Sequence, residues 1–351
     1  MKIVHIESGL GNQMLSYCEY LALKKANPSD AIYIETIIFD IPECNEVINQ
    51  WNGYELERVF GVKAPNIKEL FNETEWQRIM SEIRESQFWN LKEHNWNYPV
   101  YFTKAFNHAG LNLKNIRGDF ETPEMMALCQ PDTKGLKYRI RHTLPYYYLQ
   151  AFKHRQPVAN EKLDCKHRVF IKTDEDIFTG QQLLFKYKGV GIELIADEIE
   201  KAFVFPRLDD KKNLEALDYI SSRNSVAIHA RRGDMLGGNY LYYATGYFKR
   251  AVKFIRKHVD NPVFFIFCDP GSVQWATENA VVLGLNPKKD EIRFVDWNKS
   301  TDSYRDMQLM AACKHQIITN STFGWWGAWM NKNPNKITIS PEFKINTTHT
   351  L

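Results

Sequence analysis

The stretch SVAIHARRGD, residues 225–234, does most to decide how this chain folds. It begins with small and apolar residues, as in a strand that is buried on both faces, and it ends in a cluster of charged residues. Strands buried on both faces are typical of parallel sheets that are covered by helices. Ligands of such sheets bind beyond the carboxyl ends of the strands. The stretch therefore predicts an α/β fold and a candidate site at residues 229–234.

The segments around this strand alternate between helical and strand patterns. Each predicted strand ends in a polar loop, which predicts a doubly wound parallel sheet. The predicted helices cover about 212–222, 247–258, 272–283 and 303–313, and the predicted strands cover 225–229, 263–267, 292–295 and 316–319.

The amino-terminal part opens with a βαβ pattern. Its apolar spacing predicts a strand at 2–6, a turn at 8–13, a helix at 14–25 and a strand at 31–39. An amphipathic helix is predicted at 191–203. The middle, about 40–175, is rich in Trp, Tyr and Asn and is expected to form mixed helices and long loops.

Two domains are expected from the length of 351 residues, at ~150 residues per domain. Pro206 and the charged run at 209–212 mark a boundary near residue 205. We predict an amino-terminal α/β domain on the acceptor side at 1–205, a Rossmann-like domain that binds the nucleotide sugar at 206–325, and a helix and tail at 326–351 that packs back on the domains. A cleft between the two α/β domains is expected.

Composition bears on partners and compartment. Lys and Arg number 45 and Asp and Glu 42, so the net charge of +3 predicts no binding to nucleic acid. No apolar run reaches the ~18 residues that cross a bilayer, and MKIVHI leads into a glycine turn too early for a signal peptide. Six scattered cysteines permit three disulfides, but buried thiols in a reducing compartment are favoured. We expect a cytoplasmic protein with at most peripheral contact at the inner face of a membrane.

Paired arginines are the strongest candidates for an anion site. Arg231 and Arg232 follow the buried strand, and guanidinium groups bind phosphates through two parallel hydrogen bonds. Neighbouring side chains on an extended backbone point in opposite directions, so one arginine is expected to face a ligand while the other pairs with Asp234 or with its own scaffold. The alternative is a solvated Arg–Asp surface pair.

A second candidate anion site is the stretch ITNSTFGWWGAW at 318–329. A strand leads into Ser321 and Thr322 and then into a helix, whose first N–H groups attract anions. The alternative is that Ser321 is an ordinary helix cap and that Trp325, Trp326 and Trp329 are core.

Two weaker patterns also offer residues that could contact a nucleotide. Asp269 follows a buried strand, where it would suit a base or ribose contact, although an aspartate also commonly begins a turn. GLGNQM at 9–14 partly matches a dinucleotide fingerprint, but Met14 replaces its third glycine. Gly9 and Gly11 still permit close backbone approach to a ligand, with Asn12 and Gln13 as amide donors. Asp174 and Asp176 could form a metal pair, but a charged loop is favoured.

Together these segments resemble the α-1,2-fucosyltransferases, glycosyltransferase family 11 of the bacterial type. The matching segments keep the family's order and are GLGNQM (9–14), more loosely 180–203, HARRGD (229–234), YYATGYFKRAV (242–252), FFIFCDPGSVQW (264–275) and NSTFGWWGAWMN (320–331). The sequence departs from the family at Pro270, where a second acid is usual, which leaves that acid without a counterpart here.

The resemblance implies a GT-B-like architecture, with two Rossmann-like domains that face a central cleft. It implies an inverting transfer of L-fucose from GDP-β-L-fucose to the 2-hydroxyl of a galactoside in an oligosaccharide, with no cofactor and no required metal. The implied partners are GDP-fucose and a glycan acceptor, including a lipid-linked oligosaccharide. The Trp and Tyr residues of 88–148 are hypothesised to form a sugar-stacking acceptor cleft. The remaining alternatives are a metal-dependent GT-A transferase and a non-catalytic nucleotide- or glycan-binding protein.

Site residues follow from the motifs and the resemblance together. Glu7 and Asp234 are the candidate bases for the acceptor hydroxyl. The catalytic residues are predicted to be Arg231, Asp234 and Asn12, and the GDP-fucose-binding residues Gly11, His229, Arg231, Asp269, Ser321, Thr322 and Phe323.

Overall fold

The computed structural model describes residues 1–46, 49–90, 94–114, 176–178, 195–232, 242–269, 271–341 and 349–350, together with six positions between 136 and 149. The chain divides into two compact units. Unit 1 comprises Met1–Thr133 and Asp164–Phe205, and unit 2 comprises Lys134–Leu163 and Pro206–Leu351.

Unit 1 is built on a short parallel sheet in which β1 is the central strand. The strand order is β2-β1-β3, and β1 pairs in parallel with both neighbours. Its strands are β1 (Lys2–His5), β2 (Ile32–Glu35) and β3 (Ile177–Phe178), and its helices are α1 (Leu10–Ala26), α2 (Leu56–Phe60), α3 (Glu73–Ser86), α4 (His94–His108) and α5 (Ala196–Ala202).

Helix α3 shows how the sequence builds this unit. Asn72 caps the helix by accepting the Glu75 N–H, and the Glu75 carboxylate accepts the Asn72 N–H in return. Apolar residues then recur at helical spacing and enter the core of the unit. The core residues of α3 are Trp76, Ile79, Met80 and Ile83.

Unit 2 holds a six-stranded, fully parallel sheet. The strand order is β6-β5-β4-β7-β8-β9, which is the 3-2-1-4-5-6 order of doubly wound nucleotide-binding sheets. Its strands are β4 (Asn224–Ala230), β5 (Pro262–Cys268), β6 (Glu291–Val295), β7 (His315–Ile317), β8 (Thr338–Ser340) and β9 (His349–Thr350). Its helices are α6 (Lys211–Ser222), α7 (Tyr247–His258), α8 (Val273–Glu278), α9 (Tyr304–Ala312) and α10 (Thr322–Trp329).

Two cores cover the two faces of this sheet. On β4, Val226, Ile228 and Ala230 pack with α7 in one core, while Ala227 belongs to the opposite core with Leu309 of α9. This alternation follows from the two-residue period of a strand, and it explains why SVAIHA is apolar on both faces. The predicted α/β class, with a parallel sheet in each unit, is confirmed.

The structure corrects several predicted boundaries in unit 1. Helix α1 begins at Leu10 rather than at residue 14, because Gly9 already occupies the position that caps the helix. Strand β2 ends at Glu35 rather than at 39, because the Glu35 carboxylate accepts the Ile37 N–H and the chain turns into a 3₁₀ helix, Ile37–Asp40. Helix α5 begins at Ala196, and residues 191–194 of the predicted helix lie outside the described residues.

One helix in unit 2 is shorter than predicted. The helix expected at 272–283 spans only Val273–Glu278, since Asn279 caps it and the chain continues in turns to Gly284, whose φ is +77°.

The aromatic middle of the chain contributes to the core of unit 1 where it is described. Phe88, Trp89, Phe102 and Phe106 are buried in one cluster. The hypothesis that the Trp and Tyr residues of 88–148 line an open acceptor cleft is therefore wrong for Trp89, which packs in one core cluster with residues of α3 and β1. Trp96, Tyr147 and Tyr148 lie among residues whose side chains are not described.

Two findings bear on compartment. In the part of the chain that the structure describes, no helix is both long and apolar enough to cross a membrane. The four described cysteines, Cys18, Cys44, Cys268 and Cys313, are free thiols.

Candidate functional site

The loop that follows β4 is fastened to the end of β5. Ala230 and Cys268 are partners in the sheet, so the residues after them lie side by side. Arg231 Nη1 lies 2.5 Å from Asp269 Oδ1, and the Arg232 N–H donates to the same carboxylate. Tyr243 Oη donates to the Arg231 carbonyl at 2.9 Å. The backbone and the side chain of Arg231 are therefore both fixed from neighbouring elements.

The two adjacent arginines have different surroundings. The Arg232 guanidinium lies 3.5 Å from the centroid of the Trp275 ring and 5.3 Å from that of the Tyr243 ring. These are cation–π contacts, which hold the guanidinium against the two aromatic side chains. This agrees with the expectation that one arginine serves the scaffold. Asp234, the predicted alternative partner of Arg232, lies outside the described residues.

His229 is a neutral imidazole at the end of the same strand. Burial, assisted by the positive charge of Arg231, lowers the pKa of His229 to about 3. Its Nδ1 has no hydrogen-bond partner among the described residues. The ring lies 5.9 Å from the Phe323 ring, and an alanine methyl at position 324 would overlap Nδ1, so Gly324 is the residue that makes room for it.

Helix α10 begins beside this histidine, after β7. Ser321 occupies the cap position of α10, yet its side chain makes no capping hydrogen bond. The alternative reading of Ser321 as an ordinary side-chain cap is therefore not supported. Ser321, Thr322 and Phe323 are all partly exposed at this end of the helix. The tryptophans behave as expected for scaffold, since Trp325 and Trp326 are buried.

The strand order places these groups at the switch point of the sheet. Strands β4 and β7 are neighbours, and the chain leaves them toward opposite edges. In doubly wound sheets the ligand crevice opens at this point, beyond the carboxyl ends of the two strands. Arg231 follows β4 there, and Ser321 follows β7.

One acidic residue near this edge was not singled out by the sequence. Burial and the nearby Asp296 raise the pKa of Asp306 to about 7, against a hydrogen bond from Asn298 that lowers it. Burial raises the pKa of Cys268, the last residue of β5, and the charges of Asp269 and Asp306 add to that effect. Asp306 lies within a predicted helix of mixed polar and apolar residues, so no motif marks it in the sequence.

Unit 1 carries its own polar cluster at the carboxyl end of β1. His5 is fully buried between two carboxylates: Nδ1 contacts Glu35 in a short hydrogen bond, and Nε2 lies 3.1 Å from Glu7 Oε2. Burial alone would lower the pKa of His5, but the charge and hydrogen bond of Glu35, with those of Glu7, raise it to about 10. His5 is thus a cation at neutral pH and fixes the side chain of Glu7.

Gly11 and Asn12, predicted to face the donor, lie in the first turn of α1 immediately after this cluster. Gly11 is buried and Asn12 is half-buried. They belong to unit 1, whereas His229, Arg231, Asp269 and residues 321–323 belong to unit 2.

The residues available for a metal are limited. Among the described residues no group of three or more His, Cys, Asp or Glu side chains is arranged to hold an ion. Asp174 lies outside the described residues, and Asp176 accepts the Lys114 N–H at 2.6 Å and so fixes the start of β3.

Comparison with known proteins finds similarities to residues of unit 2. Residues 209–347 match the family model described as glycosyl transferase family 11. An α-1,2-colitosyltransferase of Escherichia coli is 32% identical over 134 residues, which cover 36% of this chain and 43% of that protein. The O-antigen biosynthesis glycosyltransferase WbnK of Escherichia coli is 33% identical over 125 residues, 34% of this chain and 38% of that protein.

Two further similarities are more distant. A galactoside α-(1,2)-fucosyltransferase 1 of Saimiri sciureus is 27% identical over 113 residues, 31% of this chain and 29% of that protein. Among solved structures, NodZ α-1,6-fucosyltransferase co-crystallised with GDP aligns with 93% of this chain and 90% of its own, at 12% identity and a TM-score of 0.42. The aligned region thus spans less than half the length of each of the three sequence relatives.

Proposed function

We propose that this chain, whose residues 209–347 belong to glycosyltransferase family 11, is a fucosyltransferase that acts on galactosides. It would move L-fucose from GDP-β-L-fucose to the 2-hydroxyl of a galactose residue, with inversion at the anomeric carbon. The relatives named α-1,2-colitosyl- and galactoside α-(1,2)-fucosyltransferase support this reaction class. The observation that carries the proposal is the convergence of Arg231 and Ser321 at the switch point of a parallel sheet.

Arg231 would bind the pyrophosphate of the donor. Its guanidinium is fixed by Asp269 and has donors in a planar fork that matches phosphate oxygens. As the bond between the anomeric carbon and the phosphate oxygen breaks, negative charge grows on the leaving GDP, and a preorganised cation stabilises that charge. The hydroxyls of Ser321 and Thr322 and the first N–H groups of α10 would add further donors.

His229, in β4, and Asp269, just after β5, are both predicted to bind GDP-fucose. His229 is neutral, so it can donate or accept a hydrogen bond without competing with Arg231 for the phosphates. Asp269 is engaged with Arg231 and Arg232, so we propose that it acts on the donor through Arg231 rather than through a direct base contact. Phe323 would pack beside the His229 ring.

Gly11, Asn12 and the acidic cluster would serve the sugar side of the reaction. The acceptor oxygen attacks the anomeric carbon, the bond to GDP breaks with its electrons on the phosphate, and the acceptor proton passes to a carboxylate. Glu7 is our first choice as that base, with Asp234 as the other candidate. His5 and Glu35 would hold Glu7 in place, and the cluster of two carboxylates and one imidazolium can accept a proton.

We further propose that the transfer needs no metal ion and no cofactor. Arg231 and the N–H groups of α10 would supply the positive potential that a metal gives in other transferases. EDTA is then expected to leave turnover unchanged. Loss of activity in EDTA that Mn²⁺ restores would contradict this and favour a metal-dependent GT-A mechanism.

The acceptor would be a soluble or lipid-linked oligosaccharide, reached from the cytoplasm with at most peripheral contact at the membrane. One relative favours a second donor. Colitose is fucose without its 3-hydroxyl group, and an α-1,2-colitosyltransferase is among the relatives of unit 2. The donor pocket could therefore take GDP-colitose in place of GDP-fucose.

The proposal is tested by turnover of the purified full chain. GDP-fucose and GDP-colitose would each be offered with lactose and other β-galactosides, and the product linkage read by NMR. An α-1,2-linked product supports the proposal and identifies the donor. Binding of GDP with no transfer to any β-galactoside would favour the alternative of a non-catalytic binding protein.

A further inference from the structure

An exposed indole lies against the glycine loop of unit 1. Trp51 has 43% of its surface exposed, whereas most described aromatic residues of this unit are buried or half-buried. A methyl group on Gly9 would lie 2.9 Å from Trp51 Cδ1, closer than two carbons can approach. Only a glycine at position 9 allows the ring to lie where it does, at the carboxyl end of β1.

Trp51 is held in a backbone conformation that a tryptophan rarely adopts. Its φ is +50°, in the left-handed region that favours glycine and asparagine. Strain of this kind persists only when the surrounding structure enforces it, and it is common at functional sites.

Hydrogen bonds of the neighbouring residues hold the backbone around Trp51 in place. The buried Gln13 side chain donates to Ser8 O and Gly53 O, each at 2.8 Å, and accepts the Glu55 N–H at 2.8 Å. Gln50 accepts the Ser8 N–H at 3.1 Å. Gln50 and Gly53, on either side of Trp51, are thus tied to Ser8 and Gln13, which fixes the backbone that carries the indole.

An indole presented in this way suits the apolar face of a pyranose. Tryptophan offers a large, rigid and amphipathic surface. Galactose has an axial 4-hydroxyl, so the C–H groups at carbons 3, 4 and 5 share one face of its ring and can lie flat on an aromatic side chain. The loop beneath the indole also carries Glu7, two residues before Gly9, at the edge of a parallel sheet where ligands bind.

We infer that Trp51 is the platform on which the galactose ring of the acceptor stacks, next to Glu7. This inference rests on the proposed function and assigns the acceptor subsite to unit 1. It replaces Trp89, which is buried, as a sugar-stacking group. Gln13 and Gly9 are then positioning residues of that subsite.

The test compares four variants in the full chain: Trp51→Phe, Trp51→Leu, Trp51→Asn and, as a control, Leu70→Ala. Leucine keeps bulk without a flat aromatic face, and asparagine tolerates the left-handed backbone. Leu70 is 41% exposed in the same unit and controls for loss of an exposed apolar side chain. The readouts are KM for lactose, KM for GDP-fucose, the GDP dissociation constant from calorimetry, and the thermal midpoint.

The inference predicts a selective loss of acceptor binding. KM for lactose rises about tenfold or more in Trp51→Leu and Trp51→Asn and less than threefold in Trp51→Phe, while KM for GDP-fucose, the GDP dissociation constant and the thermal midpoint stay near the wild-type values. Leu70→Ala leaves all four quantities unchanged.

Four other results would overturn it. An unchanged KM for lactose in Trp51→Asn contradicts an acceptor platform, and a weaker GDP affinity in that variant assigns the indole to the nucleotide instead. A wild-type chain that hydrolyses GDP-fucose but shows no lactose binding by saturation-transfer NMR contradicts the subsite while leaving the donor half of the proposed function intact. A wild-type chain that binds neither ligand contradicts the proposed function itself.

Discussion

The guanidinium of Arg231 is held by the carboxylate of Asp269, with 2.5 Å between Nη1 and Oδ1. The pair joins the ends of two adjacent strands, β4 and β5, at the edge of the sheet where nucleotides bind. Asp269 also accepts the N–H of Arg232, so a single carboxylate fixes both the loop and the cation. Most of what we propose for the donor site depends on this contact.

Replacement of Asp269 by asparagine is expected to weaken donor binding through Arg231. The variant keeps the shape and one acceptor oxygen but removes the charge, and hydrogen bonds to charged groups contribute about 1.5–3 kcal/mol. We expect kcat/KM for GDP-fucose to fall about tenfold or more. Asp290→Asn is the matched control. Asp290 forms an ion pair with Arg256, with 2.6 Å between Oδ2 and Nη2, and neither residue belongs to the candidate site. Equal effects of the two substitutions would contradict a positioning role for Asp269.

Gly324 is expected to be required by His229. An alanine methyl there would overlap Nδ1 and lie 2.9 Å from Cγ of that ring, so Gly324→Ala should cost about 1–3 kcal/mol in unfolding free energy and weaken GDP binding. Gly327→Ala, in the same helix, would meet Met310 Cε at 2.8 Å and Met310 Cβ at 2.9 Å, so it should lower stability without weakening GDP binding. Calorimetric GDP titrations and urea unfolding separate the two effects.

A double variant provides the control for this contact. If the overlap with His229 is the cause, the stability cost of Gly324→Ala should shrink when His229 is also replaced by alanine. Additive costs in the double variant would show that the two residues do not clash.

The buried His5 predicts a pH dependence of stability. Its pKa in the folded chain is about 10, above the ordinary 6.5, so its contribution is complete below pH 6.5 and is lost as the pH rises toward 10. The free energy of unfolding, measured in urea between pH 6.5 and 9.5, should therefore fall more steeply for the wild type than for His5→Gln, by up to ~1.4 kcal/mol per pH unit. Parallel curves for the two proteins would contradict an imidazolium between Glu7 and Glu35.

The sequence predicted the architecture of unit 2 more fully than that of unit 1. Strand β4 lies within one residue of its predicted ends, because a strand buried on both faces is apolar throughout and ends abruptly in charges. Strand β2 was predicted too long because Ile37 and Ile38 continue its apolar pattern, although the Glu35 side chain ends the strand by bonding to the backbone. The spacing of apolar residues carries no information about a hydrogen bond of this kind.

The sequence predicts the residues of the candidate site only where they belong to a recognisable motif. The different roles of Arg231 and Arg232 were expected from strand geometry, whereas the choice of Asp269 and Trp275 as their respective partners depends on contacts between separate segments. Trp51 and Asp306 carried no signal, since one lies in an irregular loop and the other inside a helix. Trp51 is distinguished by its exposed side chain and Asp306 by the burial that raises its pKa, and neither property can be read from a single sequence.

The most direct test of the account is turnover of Arg231→Ala. Arg293→Ala, which removes an exposed arginine that pairs with Glu291, is the control. With folding intact by thermal midpoint, we predict that Arg231→Ala reduces fucosyl transfer from GDP-fucose at least ~100-fold, the scale of losing a key transition-state donor, while Arg293→Ala stays near the wild-type rate. Near-wild-type transfer by a folded Arg231→Ala variant would contradict the assignment of Arg231 as the donor-phosphate ligand.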